Sequence, residues 1–200
     1  MTRSKTKALI TCSLILGLVA VVQASARTQF LVDPDDADNR VQFVSDAPLE
    51  KITGVGKGLT GHVELDPHAV ALTRGKLELE VASIRTNESL RDEHLKGTDW
   101  LDAAKYPKVT FEIKKVGGVD TLEPDKTVNV KVLGRLTMHG VSRDEVAKAK
   151  VRWTKGKAIR VTAQFSVNLT NYKVSVPSLV RLKVSDEITL NVVLSVKDPT

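Results

Sequence analysis

The stretch VNVKVLGRLTMH (Val128–His139) decides the fold class. Its apolar residues recur at every second position from Val128 to Met138, while polar residues such as Lys131 and Arg135 occupy most positions between them. A period of two places alternate side chains on opposite faces of a β-strand. The stretch therefore predicts a long strand with one apolar face and one face in water.

The same alternation returns along most of the chain. It is found at 59–65, 77–82, 109–114, 147–153, 159–167 and 188–197, and Val41 and Phe43 mark an earlier strand. The pairs His139-Gly140 and Gly117-Gly118 suit hairpin turns. Antiparallel strands with one apolar face must curl that face inward, as two packed sheets or as a barrel, and closure into a barrel also removes the unpaired edges. We therefore predict an all-β fold, an antiparallel β-barrel of about eight strands.

Two intervals break the alternation. Between Ile84 and Pro107 the composition becomes helical, with Thr86 or Asn87 as a helix cap and Pro107 as a stop, which predicts a short helical insert at about 86–105. The interval Asn168–Ser185 shows no sustained alternation and predicts a long connection at a mouth of the barrel.

Residues 1–26 have the organisation of a secretory signal peptide. Three basic residues precede an apolar run from Ala8 to Val22, and Ala24-Ser25-Ala26 supplies the small residues of a cleavage site. The alternative is an uncleaved membrane anchor, but the run falls short of the roughly 20 residues that span a bilayer. We therefore expect no transmembrane anchor, a mature barrel domain of residues 27–200, and a periplasmic or secreted location.

The charge balance changes once this segment is removed. The whole chain has a net charge of +6, but the first 26 residues carry three basic groups and no acidic ones, so 27 Lys and Arg remain against 24 Asp and Glu. Cys12 is also lost with them, which leaves no thiol for a disulfide or a nucleophile. Only eight residues are aromatic, too few for a base-stacking surface, and we expect no nucleic-acid partner.

Signals for catalysis, metals and cofactors are weak. His62, His68, His94 and His139 show no metal-ligand spacing, and adjacent Asp92-Glu93-His94 would point in different directions on a helix. The chain also has no glycine-rich phosphate loop. We predict no catalytic residues, no metal site and no cofactor.

Two motifs carry a resemblance to a known family. The first combines SIRTN (Ser83–Asn87), RDEHL (Arg91–Leu95) and WLDAAKYPKVTF (Trp100–Phe111), and the second is GRLTMHGVS (Gly134–Ser142). In their order and spacing they resemble the YceI-like family of exported bacterial proteins. The resemblance implies a lipocalin-like barrel that binds a polyisoprenoid or related long-chain lipid.

An interior poor in aromatic side chains would leave room for such a ligand. An eight-stranded barrel is just wide enough to be filled by side chains or to hold one slender molecule. Gly61 and Gly134 add no bulk to the predicted inner faces. The residues that we predict to line a lipid tunnel are Phe43, Val63, Leu79, Phe111, Ile113, Val130, Val132, Leu136, Phe165 and Leu190, with Trp100, Leu101 and Tyr172 near its openings.

Three functions remain open from the sequence. The favoured one is an exported, non-enzymatic protein that carries or sequesters a long-chain isoprenoid or similar apolar lipid, with a homodimer as one option for its assembly. The second is an envelope interaction module whose barrel is filled by side chains. The third, a barrel enzyme, ranks lowest because almost no ionisable residue falls on the predicted apolar faces.

Overall fold

The computed structural model describes residues 27–154 and 158–197, so the predicted signal peptide at 1–26 lies outside the described residues. The described chain is mostly strand, as predicted. Its strands are β1 (Thr28–Val32), β2 (Arg40–Asp46), β3 (Lys51–Gly56), β4 (Thr60–Leu65), β5 (Arg74–Glu80), β6 (Lys108–Gly117), β7 (Thr127–Met138), β8 (Val141–Thr154), β9 (Ala158–Asn168) and β10 (Glu187–Lys197).

These ten segments form a closed barrel of eight antiparallel strands. The segments β1 and β2 follow each other along the same edge of β10, with Val32 opposite Val196 and Arg40 opposite Val193. In the same way β4 pairs with β1 and β3 pairs with β2, so two of the eight barrel strands are each broken once. The predicted eight-stranded barrel is confirmed.

A buried asparagine holds the break between β1 and β2. Asn39 is 1% exposed, and its amide nitrogen donates to the carbonyls of Asp33 and Ser195 at 3.0 and 3.1 Å. Its side-chain oxygen accepts from the Ser195 N–H at 2.6 Å. These bonds satisfy the polar groups that the interrupted ladder leaves free in the interior.

Two glycines make space for phenylalanine rings inside the barrel. A Cβ added at Gly54 would meet the Phe43 ring, and one added at Gly134 would meet the Phe111 ring. The expectation that Gly134 leaves open room along the axis is therefore wrong, because Phe111 fills the space. Gly61 opens no room either, since its missing Cβ would meet the backbone of Lys76.

A β-bulge keeps a lysine out of the interior. The register of β6 against β7 shifts between Ile113 and Lys115. Strict alternation from Val109 would have turned Lys115 inward, whereas after the shift Lys115 is exposed and Val116 is buried. The apolar inner face is thereby preserved to the end of the strand.

The connections divide between the two ends of the barrel. One end carries the β2–β3 hairpin, the insert between β5 and β6 with helix α1 (Ser89–Lys96), the tight β7–β8 turn and the connection 169–186. The insert and the long connection were both predicted, but Gly117-Gly118 opens a longer loop, 118–126, at the opposite end rather than a tight hairpin. No helix of the described residues is long and apolar enough to cross a membrane.

Candidate functional site

The barrel encloses an apolar cavity of about 530 Å³. Its wall follows the alternation of the strands, and β9 and β10 show the pattern most clearly. Five consecutive inward residues of β9 and four of β10 line the cavity: Ile159, Val161, Ala163, Phe165 and Val167, and Ile188, Leu190, Val192 and Leu194. The period of two that predicted the strands therefore also builds the cavity wall.

Twelve of the thirteen residues predicted to line a tunnel do line this cavity. They are Phe43, Val63, Leu79, Trp100, Leu101, Phe111, Ile113, Val130, Val132, Leu136, Phe165 and Leu190. The rings of Phe111 and Phe165 come from strands separated by two others, and their centroids lie 5.9 Å apart. These rings reach toward each other inside the barrel and narrow the cavity there.

Tyr172 is the exception, because it does not line the cavity. It lies in a short 3₁₀ turn (Leu169–Tyr172), is fully buried, and its hydroxyl donates to Glu145 Oε1 at 2.7 Å. Burial, followed by the hydrogen bond to Glu145, raises the pKa of the phenol. Tyr172 therefore lies at the open end, but it is held beneath the connection by its hydrogen bond to Glu145, so the prediction that it lines the tunnel is wrong.

One end of the cavity is closed by aliphatic side chains. Val70, on a 3₁₀ turn (Val70–Leu72), and Leu122, on the loop after β6, both line the cavity and are 2% and 4% exposed. Their loops are joined by two backbone hydrogen bonds, from the Val70 N–H to the Asp120 carbonyl and from the Leu122 N–H to the Pro67 carbonyl. We call this the closed end.

The other end is open. The exposed residues among those that line the cavity are Glu88, Leu90, His94 and Pro177. The first three belong to helix α1 or its cap, and Pro177 begins the segment Pro177–Val184, which we call the lip. Val180 and Val184 of the lip also line the cavity. The mouth therefore lies between α1 and the lip.

Polar contacts fix helix α1 at this mouth. The helix is capped by Glu88 and not by the predicted Thr86 or Asn87: the Glu88 carboxylate accepts from the N–H groups of Leu90 and Arg91. Arg91 donates to Glu50 Oε1 at 2.9 Å, which joins the helix to the β2–β3 hairpin. Asp92 is buried and accepts from the hydroxyl and the N–H of Thr86 at 2.7 and 2.6 Å. The bond from the Thr86 hydroxyl lowers the pKa of Asp92.

The ionisable groups found along the cavity wall lie at its mouth, in the part of the chain that the structure describes. Within the described residues, the ionisable side chains that line the cavity are those of Glu88, Arg91 and His94. In the same part of the chain no three His, Cys, Asp or Glu side chains are grouped to hold a metal ion. The interior can therefore hold an apolar chain, and charged groups meet a ligand where it leaves the barrel.

Comparison with known proteins agrees with this geometry. The model of the YceI-like domain family matches residues 31–196. This chain belongs to the YceI-like family. A UPF0312 protein of Pseudomonas savastanoi pv. phaseolicola is 32% identical over 147 residues, which cover 72% of this chain and 71% of that protein.

Two solved structures share the fold. BcnA of Burkholderia cenocepacia superposes with a TM-score of 0.71 at 21% identity, over 82% of this chain and 98% of BcnA. A polyisoprenoid binding domain from Saccharophagus degradans, implicated in plant cell wall breakdown, superposes with a TM-score of 0.68 at 18% identity, over 87% of this chain and all of that domain.

The two motifs that carry the family resemblance in this YceI-like chain are in contact in the structure. His139 and Gly140 have positive φ values of 50° and 72° and form the two-residue β7–β8 turn. The Tyr106 ring lies against this turn, 4.9 Å from the His139 ring and in the space that a Gly140 Cβ would need. His139 Nδ1 is 3.1 Å from the Tyr172 carbonyl. The motif ending at Phe111 and the motif at Gly134–Ser142 therefore meet at the open end.

Sequence reasoning missed the lining residues that come from connections. Leu90, Leu95, Val180 and Val184 line the cavity near its mouth. They lie in segments without a period of two, so strand parity gives no information about them. The spacing of Val180 and Val184 in the sequence SLVRLKV was the available signal, because two apolar residues four positions apart can share a face in a helical turn.

Proposed function

We propose that this protein is an exported, non-enzymatic carrier that holds a long-chain apolar lipid of the polyisoprenoid class in its barrel. The observation that carries the proposal is the apolar cavity, open at one end and with its ionisable groups at that opening. The family match supports it, and so does the shared fold with a domain described as polyisoprenoid binding. The cavity favours this function over a barrel filled by side chains.

The energetics suit a ligand held without specific polar contacts. Each CH₂ group moved from water into an apolar site contributes about 0.8 kcal/mol. A dozen buried carbons would therefore contribute about 10 kcal/mol before the cost of association is subtracted. The mouth leaves a polar head group in contact with water and with Arg91 or His94.

The direct test is mass spectrometry of the lipid extracted from protein purified without detergent. We expect an apolar lipid at near-stoichiometric amounts. Ala163→Trp places an indole in the cavity and should abolish retention, because Ala163 faces inward. Thr162→Trp is the matched control, since Thr162 is the exposed neighbour on the same strand. Protein that carries no lipid, and that retains none after incubation with a polyisoprenoid alcohol, would contradict the proposal.

Export is tested separately. Cleavage after Ala26 would give a mature protein that begins at Arg27 and is released with the periplasmic or secreted fraction. Intact mass and N-terminal sequencing of the protein from each cell fraction measure this, and an uncleaved protein in the cytoplasm would contradict export. Native mass spectrometry of the same sample gives the oligomeric state.

A further inference from the structure

Large apolar side chains are exposed around the mouth of the cavity. Leu179 of the lip is 95% exposed, and Leu182 of the lip, Leu49 of the β2–β3 hairpin and Leu90 of α1 are each more than half exposed. The Leu49 N–H donates to the Leu182 carbonyl at 2.8 Å, so the hairpin lies directly against the lip. Single exposed leucines are ordinary on protein surfaces, but a group of them around one opening indicates an interaction site.

The exposed apolar surface is continuous with the cavity. Within the lip, Val180 and Val184 line the cavity while Leu179 and Leu182 are exposed. Leu90 belongs to both sets, because it lines the cavity and is 58% exposed. A lipid that leaves or enters the barrel therefore passes directly between the interior and these leucines.

The lip carries positive charge beside its leucines. The lip contains Arg181 and Lys183 and no acidic residue, Lys173 precedes it in the same connection, and all three basic residues are exposed. Among the described residues, none of the three takes part in an ion pair. Glu50, next to Leu49 on the hairpin, and Glu88, at the cap of α1, both pair with Arg91. The lip itself is thus positively charged, while Asp46, Asp186 and Glu187 line the same surface pocket as Arg181 at its base.

From these observations we propose that the lip docks on an anionic lipid bilayer and presents the open mouth to it. Exposed leucines interleaved with Lys and Arg are the side chains that enter a bilayer interface and contact acidic head groups. The docking surface rests on the proposed function, because an apolar ligand of this kind is found in a bilayer. Docking through the lip lets a lipid chain enter the barrel with little exposure to water.

A second basic surface, on the outer wall of the barrel, serves as the comparison for the lip. On the outer wall Lys131 lies directly opposite Lys148, and Arg152 lies opposite Arg160. This wall is positively charged but far from the mouth, and its exposed apolar residue is Val146, 54% exposed. If general positive charge brought the protein to a membrane, the wall would serve as well as the lip.

The test is flotation of the purified mature protein with vesicles of phosphatidylethanolamine and phosphatidylglycerol, with phosphatidylcholine vesicles as the neutral comparison. We expect flotation with the anionic vesicles. Leu179→Ser with Leu182→Ser should weaken it about ten-fold for each leucine that enters the interface. Arg181→Glu with Lys183→Glu should weaken it at least about five-fold for each basic group removed. These residues are exposed, so the variants should fold, which circular dichroism checks.

Two wall variants are the controls. Val146→Ser, and Lys148→Glu with Lys150→Glu, should float like the unaltered protein. Flotation that is lost with the wall charges but kept by the lip variants would overturn the proposal, as would a lipid-loaded protein that does not float at all.

Retention of lipid is measured on the same samples, so the two proposals can fail separately. The leucine variant, loaded with a polyisoprenoid alcohol from detergent, should retain it as the unaltered protein does, because its cavity is unchanged. Lipid retention without flotation overturns docking alone. Flotation through the lip without any lipid retention supports docking and contradicts the carrier function.

Discussion

The two ends of the barrel are built by different interactions. The closed end is sealed by buried aliphatic residues such as Val70 and Leu122 on two loops that are joined backbone to backbone. At the open end, ion pairs and hydrogen bonds through side chains, including those of Glu88, Arg91 and Asp92, hold the connections. Both ends bury apolar side chains, since Val174 and Val176 of the open-end connection are each 1% exposed, but at the open end side-chain ion pairs and hydrogen bonds also hold the connections and leave a mouth between them.

The largest expected effect tests the closed end. Leu122→Ala should lower the free energy of unfolding by about 3 kcal/mol, because it removes a buried aliphatic side chain from a packed seal. Leu90→Ala at the open end is the matched change and should stay within about 0.5 kcal/mol, since Leu90 is largely exposed. Urea unfolding of both variants measures the difference. Equal losses would mean that the two ends do not differ in how they are stabilised.

Acid should loosen the open end through Asp92. Its pKa is lowered below the ordinary 3.8, chiefly by the hydrogen bond from Thr86, so the charged form stabilises the fold above about pH 4. That contribution is lost as the pH falls through the lowered pKa. Asp92→Asn should reduce the free energy of unfolding by about 1 to 2 kcal/mol at pH 7, the difference between a charged and a neutral hydrogen bond.

The effect of Asp92→Asn should shrink at pH 3, which is below the ordinary pKa of 3.8, because the unfolded chain there takes up a proton that the folded chain resists. Urea unfolding at the two pH values measures it. Glu93→Gln is the control, because Glu93 is the exposed neighbour on the same helix and has no such partner in the described chain. A loss of stability that is the same at both pH values would show that the charge of Asp92 is not its cause.

The period of two in apolar residues was sufficient to predict most of the barrel strands and the residues of the cavity wall. It failed where the backbone departs from regular strand pairing. The segment β3, KITGVG, was missed because two of its inward positions are glycines, whose space is taken by Phe43 and Leu79. The segment β1 was missed because it is short and one strand of the barrel breaks after it, at a loop held by Asn39. Both breaks depend on partners distant in sequence.

The mouth could not be predicted in the same way. Its residues lie on α1 and the lip, whose positions depend on contacts such as Arg91 with Glu50 and Leu49 with Leu182. The burial of Tyr172 beneath the connection was missed for a related reason. The sequence places an aromatic residue in a connection near the opening, but only the structure brings Glu145, from β8, within hydrogen-bond distance of its hydroxyl.

The smallest expected effect concerns how the connection 169–186 is held at the open end. Tyr172→Phe deletes the hydroxyl that donates to Glu145 and should lower the free energy of unfolding by about 1 kcal/mol. Tyr106→Phe, which also deletes a phenolic hydroxyl at this end, is the matched control. Urea unfolding near neutral pH measures both variants.

Stability at alkaline pH reports on the proton of the buried Tyr172 hydroxyl. The pKa of Tyr172 is raised above its ordinary value of 10.0 by burial and by Glu145, so above pH 10 the unfolded chain releases a proton that the folded chain retains. Stability must therefore fall as the pH rises above 10, and Tyr172→Phe should lack that part of the fall. If Tyr172→Phe and the unaltered protein lose stability in parallel above pH 10, the hydrogen bond that the Tyr172 hydroxyl donates to Glu145 does not stabilise the connection. The connection would then be held mainly by its buried apolar residues, such as Val174 and Val176.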